Sequence, residues 1–461
     1  MESKREPRSS ALLHRSMKPV RLFPCLALAV LPALASRAAD PTLTAQGDAV
    51  VVPAGEYHAN GHVLKVTQAA TLHVAPAPIL TATDEPFHII AEKPAFYAKG
   101  SGLPQCRARD VFAGGSDDPS SIEIRRTKGG ALLKLGDDYR VDAFWPQVWL
   151  GPQSTVKPED TVFVSYRYSQ LRMDTIQVAA DGTASLKQGQ PRLTAPVPAD
   201  PDAGHEPLAH VWINYRDQEV KADQIYLVEE TPRQAITAST PGRIPKTLAK
   251  LQAGQPVKIV CWGDSVTAGG NASKPETRYV DVFAAGLRSR FPNAKIDVEN
   301  ISAGGSNSRQ WLSPEQHPYR GLKGKDNPAR FEHVIEAKPD LVTLEFVNDA
   351  GLSPAQVESQ YSEILQRLEP TGAELILITP HFTMLKMMGF QTMRETEKRP
   401  YVAGLHEFAE KHHLALADAS ARWQHLAKEG IPYLTLLDNT INHPDDRGHR
   451  LFAEELWKCF K

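Results

Sequence analysis

The sequence predicts an α/β protein in which a flavodoxin-like, three-layer α/β/α domain with a parallel sheet follows an antiparallel, β-sandwich-like domain. Three observations carry this expectation. The chain has 461 residues, more than one average domain. From Asp40 to about Glu230 it is a succession of short runs rich in Val, Thr and Tyr, such as HVLKVTQ, SIEIRR and TVFVSYRYSQ, each closed by turn residues. From Pro256 onward, strand-like and helix-like segments alternate, the grammar of a parallel sheet covered on both faces. The expected divisions are a signal peptide at 1–39, a β-rich accessory region at 40–235, a linker at 236–255 and the α/β domain at 256–461.

The first segment reads as a targeting signal. Lys18 and Arg21 precede an apolar run, Leu22–Ala35, and small residues follow it through Ala39. Met17 begins a conventional signal sequence, so residues 1–16 read as an upstream start. Cleavage is expected between about Ala35 and Ala39, giving a secreted or periplasmic protein. The run is too short to cross a bilayer comfortably, and Cys25 stands at its beginning rather than its end, so no stable membrane or lipid anchor is expected.

Composition excludes several classes. With 52 basic and 54 acidic side chains, the net charge of −2 gives no footprint for nucleic acid. Cys106, Cys261 and Cys459 are too far apart for a disulfide framework or a zinc spacing, and Cys261 reads as a small buried hydrophobe. The cluster HEFAEKHH, with His406, Glu410, His412 and His413, lacks a zincin spacing and reads as a polar helix face, so no metal is expected. No Gly-Lys-Ser/Thr follows the first strand, which excludes a phosphate-cradling loop, and no cofactor is expected.

Within the β region, Gln188–Glu206 reads as an exposed, Pro-rich loop. Tyr139, Trp145, Trp149 and Tyr166 could stack on sugars, but strand aromatics more often fill cores. In the α/β domain the predicted strands are Val257–Trp262, Lys295–Asn300, Leu341–Phe346, Glu374–Thr379 and Leu414–Asp418. Helices are predicted at Thr277–Phe291, Pro328–Ala337, Pro354–Leu368, Tyr401–His412 and Arg447–Phe460, the third with Ser353 as N-cap and proline at its first position.

Polar clusters fall at the carboxyl ends of these strands, where open α/β sheets build their sites. The first strand runs into Gly263-Asp264-Ser265, the second into Gly304-Gly305, the third into Asn348-Asp349, and His443 lies before the last helix. Acyl transfer needs a nucleophile, a base and donors aimed at the developing oxyanion, and these residue types can fill all three roles. The blocks resemble the SGNH, or GDSL-like, hydrolase superfamily over roughly Pro256–Lys461. The resemblance implies Ser265 as nucleophile, His443 as general base, and an oxyanion hole formed by the N–H groups of Ser265 and Gly305 with the side chain of Asn348; Gly304 is the alternative glycine.

Two departures stand out. Phe346 replaces the third block's glycine, and Thr440 stands where the acid is expected, three residues before His443. Asp438 is the nearest preceding carboxylate; otherwise a backbone carbonyl, or nothing, orients the imidazole. Asp264 and Asp349 read as structural, while Asp445 and Asp446 read as caps of the last helix.

The implied activity is a secreted serine esterase acting on an acylated glycan or another small ester, most directly by deacetylation. The four methionines of His381–Pro400 leave open a lipase, lysophospholipase or thioesterase, with the packing of those methionines on the domain as the plainer account. A carbohydrate-binding protein with a decayed hydrolase domain is the remaining alternative, favoured only by Thr440.

Overall fold

A computed structural model describes residues 41–93, 101–231 and 239–461. The expected signal peptide, and part of the expected linker, lie outside these residues. Asp40–Lys461 form one compact unit.

The carboxyl-terminal half is a five-stranded, all-parallel sheet flanked by helices. Its strands are Val257–Gly263, Ile296–Ser302, Leu341–Glu345, Glu374–Ile378 and Ala415–Ala417. Numbered along the chain, they lie in the order 2-1-3-4-5, which makes the first strand central between the second and third. The sequence forms them because Val260, Trp262, Val342 and Leu344 face one layer while Ile259, Cys261, Leu341 and Ile376 face the other. Both faces are covered, so the inner strands read as nearly continuous apolar runs, whereas the edge strand Ile296–Ser302 carries exposed Asp297, Glu299 and Asn300.

One face is covered by helices Pro245–Gln252, Tyr279–Arg290 and Asp446–Lys458, the other by Phe331–Glu336, Pro354–Leu368 and Pro400–Lys411. Ser353 caps Pro354–Leu368 and forms a reciprocal pair with Gln356. Trp262, fully buried, meets Trp311, Phe331 and Phe346 edge to face at ring separations of 5.7, 5.1 and 5.3 Å. Phe346 thus takes up the space beneath its loop.

The amino-terminal region is antiparallel β in small sheets. The largest orders Ala184–Lys187, Arg172–Ala179, His205–Ile213 and Ile225–Leu227. Tyr139, Trp145 and Tyr166 are buried, and Trp149 is partly so, as aromatics filling cores and strand faces should be. The loop expected to be exposed at Gln188–Glu206 is partly docked instead. Leu193 joins an apolar cluster, and Arg447 of the last helix donates to Ala195 O and Pro196 O at 3.5 and 3.4 Å. Proline and alanine carbonyls with no strand partner are free acceptors for such an anchor.

The two regions share further contacts. Glu229 N donates to Lys428 O at 2.8 Å, and buried His210 meets Gly430 O through Nδ1 at 2.9 Å. Ala108, Val111 and Trp145 pack with Ile441 and Met384, and Leu171, Met173 and Trp212 with Met393 and Leu434.

Candidate active site

Ser265 follows the last residues of the central strand, in the turn that leads toward Tyr279–Arg290. Asp264, fully buried, accepts from Val266 N at 3.0 Å and from Asn348 N and Nδ2 at 3.1 and 2.8 Å. It therefore ties the first strand's turn to the third strand's loop. Asp349 does the same between Ser308 N, at 3.1 Å, and Tyr361 OH, at 3.0 Å. Burial pushes Asp264 up to about 7 and Asp349 to about 6, and drives neighbouring Glu345 well above the usual carboxylate value. The acids beneath the nucleophile are thereby shifted toward their neutral forms.

His443 arrives on the loop before the last helix. Asn439 Oδ1 accepts from the N–H groups of Ile441, Asn442 and His443 at 3.0, 2.9 and 2.8 Å, which fixes a tight turn with Thr440 at φ 58°. His381 Nε2 meets Asn442 O at 2.7 Å and braces the turn from beneath. Asp445 caps the following helix through Gly448 N at 3.0 Å, and Asp446 holds Ser273 N and Thr277 Oγ1, both at 2.7 Å.

The outcome is a hydroxyl against an imidazole: Ser265 Oγ lies 2.9 Å from His443 Nε2. The ring rests on Gly270, where a methyl group would stand 3.1 Å from two of its carbons and 2.9 Å from Ser265 O. On its far side, His443 Nδ1 is 2.9 Å from Asn271 Oδ1. Asn271 Nδ2 in turn donates to Asp438 Oδ2 at 3.2 Å, so Oδ1 is the end that faces the ring, and Nδ1 carries the hydrogen. Nε2 is then the acceptor for the serine proton.

The structure leaves Asp438 off the imidazole. Its carboxylate binds Arg109 Nε at 2.7 Å as well as Asn271, and it meets His443 only through a backbone bond from Asp438 N to His443 O of 2.9 Å. The turn built by Asn439 is the reason: the chain doubles back between the two residues. The carboxylate beside Nδ1 belongs instead to Asp110, 3.5 Å away through Oδ2. Burial alone would raise Asp110, but the hydrogen bond and charge of His443, with Asn271, hold it below the usual carboxylate value.

Gly304 O accepts from Tyr319 OH at 2.7 Å and Arg320 Nη2 at 2.9 Å. A trans, planar peptide pinned by its oxygen sets the Gly305 N–H on the opposite side. Gly305 has φ 85°, while a methyl group on Gly304 would lie 3.6 Å from Ser265 Cβ. The N–H groups of Ser265 and Gly305 have no hydrogen-bond partner among the described residues. Asn348 differs: its Nδ2 donates to both Asp264 Oδ2 and Ser306 O, the latter at 3.0 Å, so it reaches an oxyanion only by releasing one of them.

Sequence reasoning singled out Ser265, His443, Gly305 and Asn348 but missed Asn271, Asp110, Tyr319 and Arg320. Asn271 was within reach, six residues after the nucleophile; Asp110, far away in the chain, carries no local signal. Among the described residues no group of three or more His, Cys, Asp or Glu side chains is placed to hold a metal ion. His406 pairs with Asp418 at 3.0 Å and His412 with Glu358 at 3.3 Å.

Residues 261–451 match the GDSL-like Lipase/Acylhydrolase family. No curated protein matches the chain. Among solved structures it is similar to a two-domain esterase (CEX) active on acetylated mannans, at 19% identity and a TM-score of 0.37 over 49% of this chain and 53% of that one. It is also similar to LAE5, an alpha/beta hydrolase enzyme from the metagenome of Lake Arreo, Spain, at 22% identity and TM-score 0.34, over 44% of this chain and 94% of that one. Axe2, an acetylxylan esterase from Geobacillus stearothermophilus, matches at 19% identity and TM-score 0.34 over the same shares, 44% and 94%. The chain spans about half the length of the mannan esterase.

Proposed function

With residues 261–451 forming a domain of the GDSL-like lipase/acylhydrolase family, we propose that this chain is a serine esterase that removes small acyl groups, acetyl above all, from a glycan. The observation that carries the chemistry is the 2.9 Å contact between Ser265 Oγ and His443 Nε2 beside two unpartnered backbone N–H groups. His443 takes the Ser265 proton as Oγ attacks the ester carbonyl, and the Ser265 and Gly305 N–H groups receive the oxyanion, joined by the Asn348 amide as it releases Ser306 O. Collapse expels the alcohol, which takes its proton from His443. Water then attacks the acyl-enzyme, with His443 again as base, releasing the acid and restoring Ser265.

A small acyl group is supported by the fate of the methionine-rich segment. Met388 and Met393 pack with Phe382, Phe390, Trp423 and Tyr433, and Met384 packs with Trp145 and Ile441, which leaves these three side chains engaged in apolar clusters rather than lining an acyl channel. The polar side chains Arg109, Asp110 and Arg320, all at least partly accessible, suit a hydroxylated leaving group better than a long acyl chain. Export is part of the proposal and rests on the Leu22–Ala35 run; no helix among the described residues is long and apolar enough to cross a membrane.

The test is hydrolysis of acetylated xylan, acetylated mannan and short- and long-chain p-nitrophenyl esters, with fluorophosphonate labelling and Ser265→Ala as control. Release of acetate and labelling that both vanish in Ser265→Ala are expected. Full activity in Ser265→Ala would overturn the mechanism, and preference for long acyl chains would overturn the substrate class.

A further inference from the structure

The loop before the last helix lacks an acid that touches His443, yet the imidazole is not without one. Arg109 and Asp110 form the turn of a short hairpin whose strands are Arg107–Ala108 and Val111–Phe112, in the amino-terminal β region. Arg109 sits at φ 50°, a conformation that few non-glycine residues take, of the kind that accumulates at functional sites. The hairpin is fastened at both sides of its tip. Ala108 and Val111 pack with Ile441, two residues from His443, and Arg109 binds Asp438. Between these anchors Asp110 Oδ2 comes to 3.5 Å from His443 Nδ1, while Asp110 Oδ1 is buried with no partner among the described residues.

Resting on the esterase reading above, we infer that the acid's work is divided, with Asn271 fixing the imidazole tautomer and Asp110, lent by the β region, supplying the negative charge that stabilises the imidazolium. An amide oxygen can accept the Nδ1 hydrogen and orient the ring, but it carries no net charge to favour protonation at Nε2. A carboxylate beside the same nitrogen does. Asp438 is the poorer candidate because it reaches the ring only through Asn271, is already paired with Arg109, and is raised by burial, whereas Asp110 is held low. Both Asn271 and Asp110 are positioning residues: they act on substrate only through His443.

Other charged or titratable groups surround the ring and stay in place when Asp110 changes. Asp264 lies on the nucleophile turn, Arg109 on the hairpin and Asp438 before the His443 loop; buried His381 and His449 are both held well below the usual histidine value by burial. Asp445 and Asp446 stand at the start of the last helix.

The experiment uses the full chain and the variants Asp110→Asn, Asp110→Glu, Asn271→Ala and Asp438→Asn. The readouts are kcat/KM against pH on p-nitrophenyl acetate, fluorophosphonate labelling rates, and NMR titration of His443. Asp110→Asn should lower kcat by about tenfold or more, with KM little changed, and move the acid limb and the His443 midpoint to lower pH. Asp110→Glu should recover part of both. Asn271→Ala should slow labelling with a smaller midpoint change, and Asp438→Asn should leave the midpoint where it was. An Asp110→Asn protein with wild-type rate and an unmoved His443 midpoint overturns the inference. If wild type itself neither labels nor hydrolyses esters, the esterase reading fails, while the His443 midpoint in wild type against Asp110→Asn still decides whether the pair exists.

Discussion

Gly304 and Gly305 stand side by side at the mouth of the site, and alanine at each position should separate their roles. At Gly305 an added methyl group meets nothing closer than Arg320 Nη2 at 3.9 Å, so space is not the obstacle. The backbone is: φ of 85° costs an L residue roughly 1–2 kcal/mol. If the peptide holds its place, that cost appears as stability, a few degrees in Tm for a domain of this size. If the peptide turns to relieve the strain, the N–H leaves the oxyanion and the cost appears as rate, about tenfold for each 1.4 kcal/mol. At Gly304 a methyl group lands 3.6 Å from Ser265 Cβ, an ordinary contact, so Tm should not move. The methyl group instead narrows the space beside the nucleophile, and larger acyl groups should suffer more than acetyl. Thermal melts and kcat/KM on p-nitrophenyl acetate and butyrate measure both effects. A Gly305→Ala protein with unchanged Tm and wild-type kcat/KM on both esters, the strain relieved at no cost in rate, would refute the assignment of its N–H to the oxyanion.

Asn348→Ala should lower kcat by about 10² to 10³ and also lower Tm, because buried Asp264 loses a donor at 2.8 Å; a fall in Tm with kcat unchanged would make Asn348 a loop tie only. Arg172→Ala should destabilise the chain by about 3–5 kcal/mol in urea titration, since Asp174 is left fully buried without the guanidinium 2.7 Å away. The His406–Asp418 pair raises the histidine, chiefly through their hydrogen bond. Its contribution is therefore present below about pH 6.5, the ordinary histidine value, and is lost as pH rises through the raised folded value. The Tm gap between wild type and His406→Gln should accordingly be wider at pH 6 than at pH 9; an equal gap would show that the pair contributes by packing alone.

The α/β half was legible because its signals are local. Ile259–Gly263 is an unbroken apolar run, Ser353-Pro354 announces a helix start, and the strand ends deliver Ser265 and Asn348 by chain geometry alone. His443 was legible only through the resemblance of the four blocks taken together, since alone it reads as a surface-loop histidine. The orienting groups were not, for two physical reasons. Asn271 does its work as a hydrogen-bond acceptor, and nothing in its charge or periodicity distinguishes it from a turn residue. Asp110 is brought to the ring by the docking of a separate β hairpin, an event encoded in scattered apolar contacts such as Val111 with Ile441 rather than in any spacing. The Pro-rich loop was misjudged on the same account: its carbonyls find Arg447, a partner on a different part of the chain.

The apolar seam through Ala108, Val111, Trp145, Met384 and Ile441 bears on how such a chain can diversify. A sugar-binding module on a free tether can be exchanged by recombination within the tether, leaving the enzyme intact. Here a crossover near residue 240 would strip one wall from the seam and a carboxylate from the histidine in the same stroke. The two halves therefore form one functional unit, and separating them would expose Ile441 and Met384 as well as remove Asp110 from the ring.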